Sequence, residues 1–124
     1  MKSRFRKLTV ESLEGRSVLS TTAFADFNHD GRVDVAAITD RNTIEVRLAN
    51  PDGSYHVSDI LSSPQNQPLQ YVGVQDIDAD GDLDIEAGGT KNSGSGYGSL
   101  WLNNGDGTFQ YVEPFRFKHA KWFT

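Results

Sequence analysis

An acidic nine-residue pattern occurs twice in this chain, 50 residues apart, and it constrains the fold more than any other feature of the sequence. Residues 26–34 and residues 76–84 both read D-x-[DN]-x-D-G-x-x-D. A second pair of matching sequence segments follows the acidic patterns, at residues 47–55 and 101–109. A repeat period near 50 residues is typical of arrays built from one supersecondary unit. The chain of 124 residues is therefore a short repeat array, too small for a multidomain enzyme.

Short runs with the alternation of β-strands fill each copy. Apolar and polar side chains alternate over residues 43–48, and Asp-Gly pairs, which favour hairpin turns, separate such runs at four places. No segment of the body shows the 3.6-residue pattern of a helix. The sequence predicts an all-β fold of two blade-like repeats, each with four short antiparallel strands and an acidic loop after the first strand. The residue pattern places predicted strands at 33–38, 43–48, 54–60, 70–74, 83–87, 99–102 and 109–112.

The spacing of the acidic pattern suits a hard cation. Calcium takes six to eight oxygen ligands, and oxygens at loop positions 1, 3 and 5 can converge on one ion if glycine at position 6 turns the chain sharply. Position 7 can offer its backbone carbonyl, and a carboxylate at position 9 closes the shell. The predicted metal ligands are Asp26, Asn28, Asp30, Arg32 and Asp34 in the first loop, and Asp76, Asp78, Asp80, Asp82 and Asp84 in the second.

These ligands predict two structural calcium sites. The second loop offers one more side-chain carboxylate than the first, so we expect it to bind calcium more tightly. Magnesium is a weaker candidate than calcium, because it prefers a rigid octahedral site. Zinc and copper have little support, because the chain has no cysteine and only three scattered histidines as ligands for them. Without a cation the clustered carboxylates would repel one another and raise their own pKa values. The alternative is a pair of polar hairpin turns that are acidic without binding metal.

Charge is unevenly distributed along the chain. Residues 21–113 carry four basic and fifteen acidic side chains, and eight of these acids lie in the two acidic patterns. Both ends are basic, but the net charge of −5 does not predict nucleic-acid binding. No apolar run reaches the length of a transmembrane helix.

Two aromatic residues and one loop have structural predictions of their own. Tyr55 and Trp101, at strand spacing, are predicted to be packing residues. The Gly/Ser stretch 92–98 is predicted to be a flexible hairpin connection.

The body of the chain resembles the FG-GAP/VCBS repeat family, the calcium-loop repeats of integrin-α-type β-propellers. The acidic patterns match the family's loop, and residues 103–109, which read N-N-G-D-G-T-F, match its downstream turn. The resemblance covers about residues 20–113. It implies propeller-blade architecture, structural calcium, an extracellular location and a role in protein or glycan binding rather than catalysis. Propellers close with about four to eight blades. Two repeats therefore suggest either a homo-oligomer that completes a propeller, which we favour, or a short member of the family with an open, two-unit arrangement.

The N-terminus is similar to a different family. Residues 13–20 read L-E-G-R-S-V-L-S after a basic start, and they resemble the planctomycete extracellular N-terminal motif, with Val18 in place of the more usual leucine. We therefore divide the chain into a targeting-like segment at 1–20, a first repeat at 21–62, a second repeat at 63–113 and a basic aromatic tail at 114–124. Residues 61–69 form the predicted polar linker.

The sequence thus predicts a secreted or cell-surface calcium-binding repeat protein that acts in adhesion or in binding a protein or glycan ligand, and not an enzyme. One alternative is a dockerin-like module, which also carries two calcium loops but leads them into helices. A second alternative is a hydrolase whose metal is catalytic, which would need an open coordination position and a nearby general base.

Overall fold

The computed structural model describes residues 20–112 apart from residues 65–66, 91–93 and 95. Within these residues, eight strands form two four-stranded antiparallel sheets, each in simple chain order. The first sheet contains β1 (Thr22–Ala25), β2 (Asp34–Asp40), β3 (Thr43–Ala49) and β4 (Tyr55–Ser62). The second contains β5 (Tyr71–Gln75), β6 (Asp84–Thr90), β7 (Gly96–Asn103) and β8 (Phe109–Val112). The prediction of an all-β fold with two blade-like repeats is confirmed.

The dockerin-like alternative is wrong, because each acidic loop leads into a strand. The first loop ends at β2 and the second at β6, and the described residues contain no helix. β-Branched and small apolar residues after each loop, such as Val35 and Ile85, favour this outcome. The predicted N-terminal segment, apart from Ser20, and the predicted tail at 114–124 lie outside the described residues.

Two predicted connections differ from the structure. Leu61 and Ser62 continue β4, and Leu61 and Leu69 are buried, so the predicted linker 61–69 is polar only between these two ends. β7 begins at Gly96, inside the stretch predicted to be a flexible connection, and Gly88 pairs with Gly98. A Cβ atom built on Gly88 would lie 2.1 Å from the Tyr97 carbonyl oxygen, so the glycines permit a close strand pairing that composition alone does not indicate.

The hydrophobic core lies between the two sheets. Alternation along each strand gives each sheet two faces. We call the face of the first sheet that carries Ala36 and Val46 its inner face, and the face that carries Phe24 and Arg47 its outer face. The inner face packs on the face of the second sheet that carries Ile85 and Trp101, in one core cluster. Trp101 is buried as predicted, whereas the prediction that Tyr55 is a packing residue is wrong, since Tyr55 is half exposed.

Close contacts fix the second sheet on the first. The rings of Phe27 and Phe109 meet edge to face with their centroids 5.4 Å apart. The backbone N–H of Phe109 donates to Asp59 Oδ2 at 2.8 Å, and Ser58 Oγ donates to the Gly107 carbonyl at 2.8 Å. At Gly107 an added Cβ would lie 2.8 Å from Leu48 Cδ1, so the β7–β8 turn rests directly on the inner face of the first sheet.

Candidate metal centre

Two loops of the same backbone shape carry the acidic patterns. The first loop connects β1 to β2 and the second connects β5 to β6. Position 4 is left-handed in both, with φ of 60° at His29 and 61° at Ala79, and position 6 is a left-handed glycine, with φ of 83° at Gly31 and 93° at Gly81. Non-glycine residues rarely adopt this conformation. The sequence repeat is therefore a repeat of loop geometry.

The first carboxylate of each loop closes the curl. Asp26 accepts hydrogen bonds from the backbone N–H groups of Asp30 and Gly31, at 3.2 and 2.8 Å. Asp76 accepts the same two bonds in the second loop, from Asp80 and Gly81, at 3.2 and 2.9 Å. These bonds bring positions 5 and 6 back over position 1. The turn at position 6 thus directs the side chains of positions 1, 3 and 5 towards a common centre.

The last carboxylate of each loop is buried and anchors the loop to the sheet. Asp34 is fully buried and accepts from the backbone N–H of Phe27 at 2.9 Å and of Ala49 at 2.8 Å. Asp84 is also fully buried and accepts from Ile77 at 2.8 Å and from Asn103 at 2.9 Å. Both oxygens of each of these two carboxylates therefore have a backbone donor, which stabilises an ionised buried carboxylate. The predicted ninth-position ligand thus has a structural role that the sequence did not show.

Carboxylate oxygens converge in both loops. In the second loop, one oxygen from each of four aspartates lies within 4.8 Å of the others, and the four are Asp76, Asp78, Asp80 and Asp84. In the first loop the same holds for Asp26, Asp30 and Asp34. These seven side chains are all among the predicted ligands. Oxygen atoms gathered in this way form a donor set of the kind that calcium prefers.

Asn28 completes the first cluster. Its side-chain amide nitrogen donates to Asp26 Oδ1 and to Asp30 Oδ1, each at 3.1 Å. Asn28 therefore lies between the two carboxylates, at the position that Asp78 occupies in the second loop.

The second loop carries uncompensated negative charge. Burial first, then a hydrogen bond with Asp80 and repulsion from Asp84 and Asp80, raise the pKa of Asp78 to about 6. Burial likewise raises the pKa of Asp84, against the lowering effect of its two backbone donors. In the first loop the backbone N–H of Arg32 lowers the pKa of Asp30, and the Arg32 guanidinium adds to this effect. The second loop therefore carries more carboxylate repulsion than the first.

The side chains at position 7, those of Arg32 and Asp82, lie outside the two carboxylate clusters. The Arg32 Nη1 donates to Asp30 Oδ2 at 3.2 Å. The Asp82 side chain reaches the other loop, where its Oδ1 lies 2.8 Å from His29 Nε2. The two acidic loops are thus in direct contact through residues that the sequence analysis did not pair.

Asn103 is a second link between the loops. Its Nδ2 donates to the Phe27 carbonyl of the first loop at 2.8 Å and to the Leu83 carbonyl of the second loop at 2.9 Å. Its Oδ1 accepts from the Gly105 backbone N–H at 2.8 Å. The downstream turn motif at residues 103–109 contains Asn103, but the motif does not indicate which carbonyl groups the Asn103 amide contacts. Asn103 therefore couples both candidate sites to the β7–β8 turn.

Comparisons with known proteins agree with this architecture. Residues 26–86 match the family model for the FG-GAP-like repeat, and the match begins at the first residue of the first acidic loop and extends past the second loop into β6. Comparison with the curated proteins and with the solved structures finds no match. Among the described residues, no helix is long and apolar enough to cross a membrane.

Proposed function

We propose, from the premise that this chain belongs to the FG-GAP-like repeat family over residues 26–86, that it is a calcium-binding repeat protein in which the metal is structural. The observation that carries the proposal is the convergence of carboxylate oxygens in two loops of equal backbone shape. Calcium is favoured because every available side-chain donor in the clusters is an oxygen and because glycine at position 6 supports a curled loop.

The residues that would hold the ions are those the loops bring together. Asp76, Asp78, Asp80 and Asp84 would hold one ion, and Asp26, Asn28, Asp30 and Asp34 the other, with backbone carbonyls at positions 32 and 82 as further donors. A bound divalent cation supplies positive charge that offsets carboxylate repulsion. This chain's own residues then do the rest: Asp34 and Asp84 tie each loop to its sheet, and Asn103 ties the loops to each other.

The biological role that fits such a protein is binding rather than catalysis. Both clusters lie in loops whose acids are engaged with backbone donors, and these loops end at rigid sheets. We propose that the protein acts outside the cytoplasm, at the cell surface or after secretion, where calcium is abundant enough for sites of modest affinity. Its ligand would be a protein or a glycan, bound on a scaffold that calcium keeps rigid.

Calcium titration of the full chain by isothermal calorimetry, in buffer freed of divalent cations, tests the metal sites. We expect two binding events, the tighter one at the second loop. Asp80→Asn removes one carboxylate from the second cluster and should abolish the tighter event while it leaves the weaker one. A chain that releases no heat with calcium, or that binds magnesium as tightly, would contradict the proposal.

Asp40→Asn is the matched control. Asp40 is an exposed aspartate at the end of β2 and belongs to neither cluster. The substitution removes the same single charge from the same acidic body, so it measures the effect of net charge alone. We expect it to leave both binding events within about twofold of the wild type, since exposed charges at a distance are screened by salt. An equal loss in both variants would mean that calcium responds to overall charge and not to a built site.

A further inference from the structure

One buried side chain, that of Asn103, reaches both acidic loops. Asn103 is the last residue of β7 and is 5% exposed. Its Nδ2 donates to the carbonyl of Phe27, at position 2 of the first loop, and to the carbonyl of Leu83, at position 8 of the second. Its Oδ1 accepts from the Gly105 backbone N–H. Both ends of this buried amide are therefore engaged, and a satisfied buried network holds its members in one arrangement.

The internal repeat shows that anchoring a loop to its sheet does not require this amide. Residue 49 is equivalent to residue 103, at an offset of 54, and it is alanine. The backbone N–H of Ala49 donates to Asp34 at 2.8 Å, and that of Asn103 donates to Asp84 at 2.9 Å. Alanine is therefore sufficient for the anchor. What the side chain of Asn103 adds is a contact with Phe27, in the other repeat.

The two carbonyl groups that Asn103 holds lie beside ligand positions. Phe27 is fully buried and lies between Asp26 and Asn28, at positions 1 and 3 of the first loop. Leu83 directly precedes Asp84, at position 9 of the second loop. An ion that fixes the first loop therefore also fixes the Phe27 carbonyl. Through one amide, it fixes the backbone next to a ligand of the second loop.

A second contact joins the loops at the surface. His29 Nε2 lies 2.8 Å from Asp82 Oδ1. The equivalent residues of the opposite loops are Ala79, which has no polar side chain, and Arg32. This contact, like that of Asn103, is therefore specific to the junction between the two repeats and is not part of the repeated unit.

Two effects of opposite sign act between ions bound in the two loops. Each ion reduces the negative charge that attracts the other, and this effect acts through space and is screened by salt. In the opposite direction, an ion that orders one loop also orders backbone that the other ion requires in place, which strengthens the second binding. Only the second effect passes through Asn103.

We propose that Asn103 is a positioning residue that couples the two loops, so that calcium in one loop raises the affinity of the other. Asn103 is not a ligand and acts through the backbone of Phe27 and Leu83. The proposal rests on the proposed function, since it requires both loops to bind calcium. It adds a favourable coupling between the sites, which two independent structural sites would lack.

Calorimetric titration of the full chain with calcium measures this coupling. Asp30→Asn blocks the first loop and Asp80→Asn blocks the second, so each variant gives the binding constant of one loop alone. The coupling factor is the product of the two wild-type binding constants divided by the product of the two single-loop constants. Asn103→Ala, placed in all three proteins, should lower this factor by about fivefold or more. The charge effect is common to both backgrounds and cancels.

Asn104→Ala is the matched control, because it removes an amide from the same turn. Asn104 is exposed, and its Nδ2 donates to Thr108 Oγ1 at 3.0 Å, so the coupling factor should stay unchanged. A merely structural role of Asn103 would lower both single-loop constants and leave the factor as it is. An unchanged factor in Asn103→Ala would thus overturn the proposal alone, whereas a wild type that binds no calcium would overturn the proposed function with it.

Hydrogen exchange in Asp80→Asn tests the coupling without a change in the linking amide, in case its removal prevents folding. Calcium then fills the first loop only. We expect it to slow exchange of the Ile77 N–H, which donates to Asp84 in the second loop at 2.8 Å. The reference is the Leu69 N–H, which donates to the Arg41 carbonyl at 2.8 Å, beyond the end of β2 that is farther from the first loop. Exchange at Ile77 that slows no more than at Leu69 would contradict the coupling.

Discussion

At the scale of single residues, the two acidic loops use chemically identical carboxylates for different purposes. Asp26 and Asp76 hold the curl through backbone N–H groups, and Asp34 and Asp84 hold the loop on its sheet. Asp78 lies against two other carboxylates, those of Asp80 and Asp84, and both raise its pKa. Asp78 is therefore the residue whose charge is most costly to the protein without metal and most useful with it.

Replacing Asp78 by asparagine should stabilise the metal-free protein. Asp78→Asn gives the second loop the residue that the first loop has at position 28, and it removes one of the mutually repelling charges. We expect the melting temperature in chelator at pH 7 to rise by about 2–4 °C, as removal of a screened like-charge contact of roughly 0.5 kcal/mol would give. Calcium affinity at the second loop should fall by about tenfold or more. A lower melting temperature in chelator would contradict this assignment.

The raised pKa of Asp78, about 6 against an ordinary value of 3.8, also predicts a pH dependence. Between these two values the folded protein binds more protons at this group than the unfolded chain does, so its contribution to stability is lost as pH rises through about 6. In chelator, wild type and Asp78→Asn should melt together below about pH 3.8, and the wild type should fall below the variant by pH 7.5. Calcium should reverse that loss. Parallel melting curves for the two proteins across this range would exclude the mechanism.

At the scale of strands and turns, the Asp-Gly turns show how equal sequences meet different surroundings. Gly53 and Gly107 are equivalent by the repeat, and both have φ of 89°. A Cβ at Gly53 would meet nothing within 4 Å, whereas one at Gly107 would meet Leu48 at 2.8 Å. At this glycine position, only the second turn is packed against the other sheet.

This pair of glycines isolates the energy of the contact between sheets. Gly53→Ala should cost about 1 kcal/mol, from a left-handed backbone that alanine adopts poorly. Gly107→Ala should cost that amount plus roughly 1–3 kcal/mol for overpacking against Leu48. Urea denaturation of the two variants under identical conditions measures the difference. Equal losses would mean that the β7–β8 turn does not rest tightly on the first sheet.

The same scale shows what the sequence could predict. Strand periodicity and turn chemistry are local properties, so the strands and the loop positions of the acids could be read from residues a few positions apart. The contact of His29 with Asp82 and the reach of Asn103 to Phe27 depend on how the second sheet sits on the first. Alternation gives each strand two faces but does not say which one meets a neighbour. The prediction that Tyr55 is a packing residue is wrong for that reason.

At the scale of the whole molecule, the two repeats form one unit because the core, the turns and the acidic loops all bridge them. The core cluster draws residues from both sheets, and both candidate metal loops are held together by Asp82 and Asn103. A cation bound in either loop should therefore stabilise both repeats. We expect unfolding to be a single transition, with calcium raising its midpoint and not splitting it.

The central claim is that the two carboxylate clusters exist to hold calcium and that calcium fixes the pair of β-sheets. Melting curves of the full chain with excess calcium and with chelator test it most directly. A ligand at about 100 times its dissociation constant adds about 2.7 kcal/mol per site, so we expect one cooperative transition that calcium moves up by roughly 10 °C or more. Curves that superimpose with and without calcium would contradict the account.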